Sequence, residues 1–313
     1  MNYKIIQGIT IRMTFFIIKY YLMITVKLIG GLGNQLFQLF TCISYGIEHK
    51  KQIVLSKDKL DYISPVDNTS LRPVYWDTFL SNMNKYIVDK GDALWKTFNL
   101  LYREESNYTQ IPYSEKNIIL FGYFQSYRFF EHIKNDIPAL LNLNHYKNVV
   151  QLKFNFNCST YISLHFRIGD YKIAGPDTHP ILPLQYYIDS LNYIIKQINK
   201  TNSYLNYDSN KITVLCFGEK QDSIQINKNM CFLGINFPHI QFKLCEIELE
   251  DYEELILMSC CNHNIIANST FSWWGAYLNR DTNKIVTYPK LWFGKDIKTS
   301  TADLFPTNWH CVS

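Results

Sequence analysis

No two of the eight cysteines, at positions 42, 158, 216, 231, 245, 260, 261 and 311, stand in a CxxC spacing. That excludes a zinc ribbon or a thioredoxin-like redox motif, and most of these cysteines sit in apolar runs that suit small reduced hydrophobes. A dominant charge sign is missing too: 31 Lys and Arg against 27 Asp and Glu leave a net charge of +4. Dispersed along the chain, that excess is too small for a nucleic-acid surface. No apolar run approaches the ~20 residues of a spanning helix. The apolar opening MNYKIIQGITIRMTFFIIKYYL is broken by Lys4, Arg12 and Lys19, and no small-residue cleavage site follows it. Also absent are an Asp-x-Asp pair after a strand-like run and a Gly-Lys-Ser/Thr. These absences leave no metal-carboxylate nucleotide-sugar site of the first type and no P-loop of the second.

What is present is a chain of 313 residues, 47% hydrophobic, long enough for two domains. From residue 24 it reads ITVKLI, then GGLGNQ, then LFQLFTCISYGIEHKK, then QIVL. The first and last runs are strand-like, and the third carries apolar residues at helical spacing, which makes a β-loop-α-β unit starting near Met23. Residues 1–22 are then an extension. Periodicity is weak over 57–120, where SPVDNTSLRP reads as a loop. It returns in KNIILFGYFQSYRFF (116–130), a strand followed by an aromatic turn into a helix. Beyond a join near residue 155, the runs YISLHF, ITVLCF, NIIAN and KIVTYP alternate with helical patterns such as LPLQYYIDSLNYIIKQI and EDYEELILMSCC. Such alternation predicts parallel sheets wrapped by helices. The organisation expected is an extension (1–22), an N-terminal α/β domain (23–155) and a C-terminal α/β domain (156–313), with ligands at the carboxyl ends of the strands.

Three stretches concentrate chemistry. GGLGNQLFQ (30–38) places Gly30, Gly31 and Gly33 between a strand and a helix. There a ligand can approach the backbone and the helix N-terminus favours negative charge; a tight turn capped by Asn34 is the plainer reading. HFRIGDY (165–171) ends a strand at His165 and puts Arg167 on the same face two residues on. A guanidinium fork there could hold a diphosphate, with Asp170 orienting it; a simple Arg167–Asp170 ion pair is the alternative. NSTFSWWGA (268–276) supplies Asn268, Ser269, Thr270 and Ser272 around a helix N-terminus, more than one cap requires, although a cap followed by core tryptophans would also read this way. The acidic run CEIELEDYEEL (245–255) is the solvated start of a helix, where negative charge is favourable.

Taken together, in this order, GGLGNQLFQ, HFRIGDY and NSTFSWWGA resemble the α-1,2-fucosyltransferases of glycosyltransferase family 11. GYFQSYRFF, LMSCCNHNIIAN, YPKLWF and FPTNW extend the resemblance from about Met23 to the C-terminus. It implies a GT-B-like fold of two Rossmann-like α/β domains facing across a cleft, and inverting transfer of L-fucose from GDP-fucose without a required metal or other cofactor. The partners implied are the nucleotide-sugar donor and a galactose-containing glycan acceptor. By the same resemblance Arg167 holds the diphosphate, and His165, Gly169 and Asp170 shape its site, Asp170 being the candidate base. Asn268, Ser269, Thr270, Phe271, Ser272 and Trp273 contact the nucleotide, and Gly31, Gly33, Asn34 and Gln35 face them. Two positions depart from the family pattern. Ile168 replaces a second arginine, and Phe217-Gly218-Glu219-Lys220 replaces Phe-Ser-Asp-Asp, so Glu219 takes an aspartate's place. A donor or linkage of another kind, or a glycan-binding module without turnover, is the alternative. The expected location is cytoplasmic and soluble, with weak N-terminal membrane association as the minor reading.

Overall fold

The structure, a computed structural model, describes residues 22–57, 73–88, 93–156, 160–201 and 212–313. The extension up to residue 21 and the loop SPVDNTSLRP, apart from Pro73, lie outside them. In the N-terminal half, β1 (Met23–Val26) leads into α1 (Leu32–Glu48), followed by the short strands β2 (Gln52–Ile53), β3 (Leu55–Ser56), β4 (Ile87–Val88), β5 (Leu100–Arg103) and β6 (Ile118–Phe121). Helices α2 (Ile137–Leu140) and α3 (Leu143–Lys153) close that half. The C-terminal half runs β7 (Thr160–His165), α4 (Tyr171–Ala174), α5 (Leu184–Thr201), β8 (Ile212–Phe217), α6 (Ser223–Asn236), β9 (Gln241–Leu244), α7 (Asp251–Cys260), β10 (His263–Ile265), α8 (Thr270–Tyr277), β11 (Val286–Pro289) and β12 (His310–Val312).

Among the described residues the strands pair only in parallel, in a four-stranded sheet ordered β2-β1-β6-β5, a six-stranded sheet ordered β12-β11-β10-β7-β8-β9, and a small β3-β4 pair. Two parallel α/β sheets facing across a cavity are the GT-B-like arrangement expected. Parallel sheets are covered on both faces, so their central strands read as unbroken apolar runs. TYISLH and ITVLCF are accordingly buried at every position. Register aligns Leu164 with Cys216 on one side and Ile265 on the other.

Both sheets turn over where the motifs lie. β1 has β2 on one side and β6 on the other; β7 has β10 and β8. Chain connections leave these two strands in opposite directions, which opens a crevice at their carboxyl ends. GGLGNQ and HFRIGDY are the segments that follow them.

α1 is buried on nearly every side, because it is wedged between its own sheet and α8. Its polar residues therefore need internal partners. Gln38 exchanges two hydrogen bonds with the backbone of Ile29, at 2.9 and 3.0 Å, and Ser44 Oγ donates to Phe129 O at 2.5 Å.

Two expectations are corrected. The segment after β6 forms 3-10 turns at Tyr127–Phe129 and Glu131–Ile133 rather than a helix. Phe124 there has φ of +52°, which breaks helical geometry before it starts. The acidic run does begin a helix, α7, with a capping box between Glu250 and Glu253, yet Glu253 is buried against Lys153 Nζ at 2.6 and 2.8 Å. The seven cysteines described are all free; Cys42, Cys216 and Cys261 are buried, Cys245 and Cys260 half-buried, and Cys231 and Cys311 exposed.

Candidate active site

A cavity of about 560 Å³ lies between the carboxyl ends of β1 and β7. Gly30, Gly31, Gly33 and Asn34 line it from one half; His165, Arg167, Asp170, Glu219, Asn268, Ser269, Thr270 and Phe271 line it from the other.

Two helix N-termini converge on it. α1 begins at Gly31 with no side-chain cap, and α8 begins at Ser269, whose hydroxyl accepts from Phe271 N. Neither has an acidic residue in its first turn, so neither partial positive charge is offset from within its own helix. The two are fastened together. Thr270 Oγ1 donates to Asn34 Oδ1 at 2.9 Å, and Gln125 Nε2 donates to the same oxygen at 3.0 Å. A Cβ on Gly33 would stand 2.5 Å from the Thr270 carbonyl carbon, so only glycine permits this approach. Asn34 thus clamps across the cleft instead of capping the turn.

Arg167 is the cavity's central cation. Its Nη2 donates to Asp170 Oδ1, its Nη1 to Glu219 Oε1, and its guanidinium lies 5.0 Å from the Tyr171 ring centre. Burial opposes its charge, but Tyr171, Asp170 and Glu219 outweigh burial and hold the group above its ordinary range. Arg167 pairs with Asp170 inside the cavity, so the ion pair and a cavity-lining arginine are not exclusive. A guanidinium has five N–H donors, and two carboxylate bonds leave others to offer.

The remaining charges need an account, because the cavity is not simply basic. Arg167 and Lys220 face Asp170, Glu219, Asp251 and Glu254. Asp170 and Glu219 are compensated by Arg167, and Asp251 accepts from the Tyr75 hydroxyl. Burial, then Asp251, pushes Glu254 up to about 7, so it is substantially protonated near neutrality.

His165 is buried, and burial followed by the nearby Arg167 pushes its pKa down to about 3, which keeps it neutral. Gly169 does not line the cavity. Its N–H donates to Asp222 Oδ2 at 2.7 Å, and a Cβ there would reach 2.4 Å from Glu219 Oε1, so it makes room for the carboxylate that orients Arg167.

Three further expectations are overturned. Trp273 is fully buried with Nε1 donating to Leu304 O at 3.0 Å, in an aromatic cluster with Phe37 and Trp274. Gln35 is fully buried, and its Nε2 donates to Gly30 O and Pro73 O at 3.0 and 2.9 Å, bracing the loop from behind. Ser272 is buried, with Oγ accepting from Ala267 N and donating to Ser269 O. One face of each motif meets the cavity and the other meets the core.

Several lining residues were not singled out in the sequence: Tyr75, Gln125, Tyr171, His179, Leu249, Asp251, Glu254, Trp292 and Phe293. Gln125 lies in GYFQSYRFF, Tyr171 closes HFRIGDY, and Trp292 and Phe293 close YPKLWF, so these four were within reach of the sequence. Among the described residues no cluster of His, Cys, Asp and Glu is arranged to hold a metal ion, and no helix is long and apolar enough to cross a membrane.

Two parallel α/β sheets, with an arginine and two helix N-termini lining the cavity between them, form a GT-B-like fold. The family can be stated directly: the chain belongs to glycosyl transferase family 11, whose model matches residues 9–313. It is 24% identical to an alpha-1,2-colitosyltransferase of Escherichia coli over 91% of this chain and 97% of that one. It is also 24% identical to galactoside alpha-(1,2)-fucosyltransferase 2 of Mus musculus, over 84% of this chain and 71% of that one. Among solved structures, the glycosyl transferase family 9 protein of Veillonella parvula aligns over 93% of this chain and 86% of its own, with TM-score 0.45 and 9% identity.

Proposed function

We propose that the chain transfers L-fucose, with inversion, from GDP-fucose to the 2-hydroxyl of a galactose-type residue on a glycan, without a metal. The observation that carries this reading is the convergence of Arg167 with the N-termini of α1 and α8 on one cavity. A nucleoside diphosphate is the anion that such a combination of fork and dipoles suits. The galactoside fucosyltransferase of the mouse supports the sugar and the acceptor.

In the transfer, a bond forms between the acceptor oxygen and the anomeric carbon as the bond from that carbon to the β-phosphate oxygen breaks. The electron pair leaves with GDP, and Arg167 with the two helix N-termini takes up the developing charge. The acceptor proton passes to a base on the opposite face of the sugar. Asp170 is bound to the same guanidinium that meets the leaving group, so its role is to orient Arg167. His165 remains a neutral wall beside it. Gly31, Gly33 and Asn34 approach the phosphates from one side, and Ser269, Thr270 and Phe271 from the other. On binding, Glu254 gives up its proton to solvent and accepts from the ring N–H and amino group of guanine.

A second reading keeps the fold and changes the sugar, because the colitosyltransferase of Escherichia coli aligns over nearly its whole length. Purified protein incubated with radiolabelled GDP-fucose and a panel of galactosides should yield labelled glycan, and calorimetry should show GDP binding in preference to UDP and ADP. Neither transfer nor GDP binding would end the proposal. Arg167→Ala should lower the rate by about a hundredfold or more. An unchanged rate would remove Arg167 from the chemistry.

A further inference from the structure

Three buried polar atoms along the cavity have no partner: Nδ1 of His165, Nδ1 of His179 and Oδ1 of Asn268. A buried polar atom left unpaired is costly, so it needs a partner from the space it borders. Two of these atoms belong to one wall. Asn268 Nδ2 donates to Pro180 O at 2.9 Å and to Trp292 O at 3.2 Å, which ties it between the segment carrying His179 and the turn carrying Trp292 and Phe293. Tyr171 Oη donates to Asn268 O at 2.6 Å, fixing the same asparagine from below.

The wall is rigid. Gly294 N donates to Thr178 O and Asp296 N to Asp177 O, both at 2.8 Å, and a Cβ on Gly294 would lie 2.3 Å from the Asp177 carbonyl carbon. The segments 175–180 and 292–296 are therefore pressed backbone to backbone. The wall also has a defined place relative to the diphosphate clamp. The Tyr171 ring centre lies 5.0 Å from the Arg167 guanidinium and 4.9 Å from the His179 ring, with which it stacks at 17°. His179 in turn lies 6.1 Å from the Phe293 ring. Tyr171 thus touches both the arginine and the wall, which places the wall beside the guanidinium.

We infer that this wall is the subsite for the glycosyl group of the donor, with His179 and Asn268 pairing its ring hydroxyls, and that it selects a 6-deoxyhexose over its 3,6-dideoxy counterpart. The inference rests on the nucleotide-sugar reading of the cavity and adds the residues that choose the sugar. Both donor hydrogens of the Asn268 amide are committed to carbonyls, so its free oxygen can only accept, and a sugar hydroxyl is the donor that fits. Burial lowers the His179 pKa, so its imidazole is neutral and either gives or takes a hydrogen bond. Trp292 and Phe293 offer apolar surface to the face of a deoxy sugar. The donor's 6-deoxyhexose has three ring hydroxyls for the three unpartnered atoms of His165, His179 and Asn268, whereas its 3,6-dideoxy counterpart has two and leaves one atom unpaired; sites built around a substrate hydroxyl discriminate strongly against such analogues.

The test compares GDP-fucose with GDP-3,6-dideoxy-L-galactose as donors for the wild-type chain and for His179→Phe. That variant keeps a ring to stack on Tyr171 and removes the nitrogens. The wild type should favour GDP-fucose by tenfold or more in kcat/KM. His179→Phe should bind GDP within about twofold of wild type, lose at least tenfold in kcat/KM with GDP-fucose, and show a smaller preference between the donors. Equal or better use of the dideoxy donor by the wild type overturns the inference while leaving the nucleotide-sugar reading intact. So does a His179→Phe variant whose GDP affinity falls in parallel with its activity, since the wall would then serve the nucleotide. A wild type that binds no GDP removes both. Should His179→Phe fail to fold, the wild-type donor comparison decides alone.

Discussion

His165 and Glu254 carry ionisation in opposite directions into the same cavity. His165 is held down to about 3 by burial, with Arg167 adding to it, so between roughly pH 6.5 and 3 the unfolded chain binds a proton that the folded chain refuses. Its folded pKa is depressed, and stability falls as pH drops through that window. Glu254 is raised to about 7 by burial and by Asp251, so it favours the fold below its unfolded value of 4.5 and loses that contribution as pH rises through about 7. Denaturant melts at several pH values should therefore show His165→Gln flattening the acid limb and Glu254→Gln flattening the alkaline one. A Glu254→Gln variant that is no more stable than wild type at pH 8, relative to pH 4, would place that carboxylate in water. At this scale the sequence pointed to Arg167, Asn34 and Thr270, which line the cavity, because each lies in a polar segment that follows a buried strand. It could not reveal Glu254 or His179, which lie on elements whose patterns read as ordinary helix and loop. It placed Trp273 and Gln35 in the site because a motif spells out every face of a helix and only one face meets the cavity.

At the scale of the element, the contact that shapes the site is α1 against α8. Phe37 packs 4.5 Å from Trp273 and 5.2 Å from Trp274, and the two helix starts meet where Gly33 abuts the Thr270 backbone. The obstacle to a side chain at 33 is backbone, which cannot swing aside, whereas nothing lies within 4 Å of a Cβ at Gly31. Gly33→Ala should destabilise by about 1–3 kcal/mol, the usual range for overpacking, and weaken GDP binding because the two N-termini are pushed apart. Gly31→Ala should stay within about 1 kcal/mol, the scale of a changed N-cap. Urea titrations of the pair, with calorimetry against GDP, check both; equal losses in the two variants would contradict the close approach. Elements with strong periodicity, such as α1, α5 and the buried strands β7 and β8, were legible in the sequence. β5, β9 and β12 were not: three or four residues give too little alternation to separate a strand from a loop, and their strand character comes from neighbours they pair with.

On the scale of the whole molecule, one core joins the two sheets: a cluster of buried side chains runs from Ile24 and Phe40 through Leu255 and Trp274 to Trp309. A second cluster, from Ile162 and Leu191 to Val312, belongs to the C-terminal half alone. Polar ties cross between the halves at several further points. Tyr75 donates to Asp251, Lys153 pairs with Glu253, and Ser126 Oγ donates to Asp303 O at 2.6 Å beside the Arg128–Asp303 ion pair. Alternation of strands and helices in the sequence gave two α/β halves with a cleft but no means of seeing how much apolar surface joins them, because that surface is made of residues distant in the chain. The shared core has a measurable consequence. Halves joined by a thin polar interface would melt separately, each with its own midpoint. Here the same buried aromatic group, Phe37, Phe40, Phe130, Trp273 and Trp274, belongs to both. Calorimetry should accordingly show one unfolding transition. Trp274→Ala, which removes one of the two largest shared side chains, should cost about 3–5 kcal/mol and lower that whole transition without splitting it. Saturating GDP should raise it as a single peak, by roughly 2.7 kcal/mol at a hundredfold excess over Kd. A transition that splits, with GDP moving only one component, would mean that the two sheets fold as separate units and that the cavity forms only after they dock.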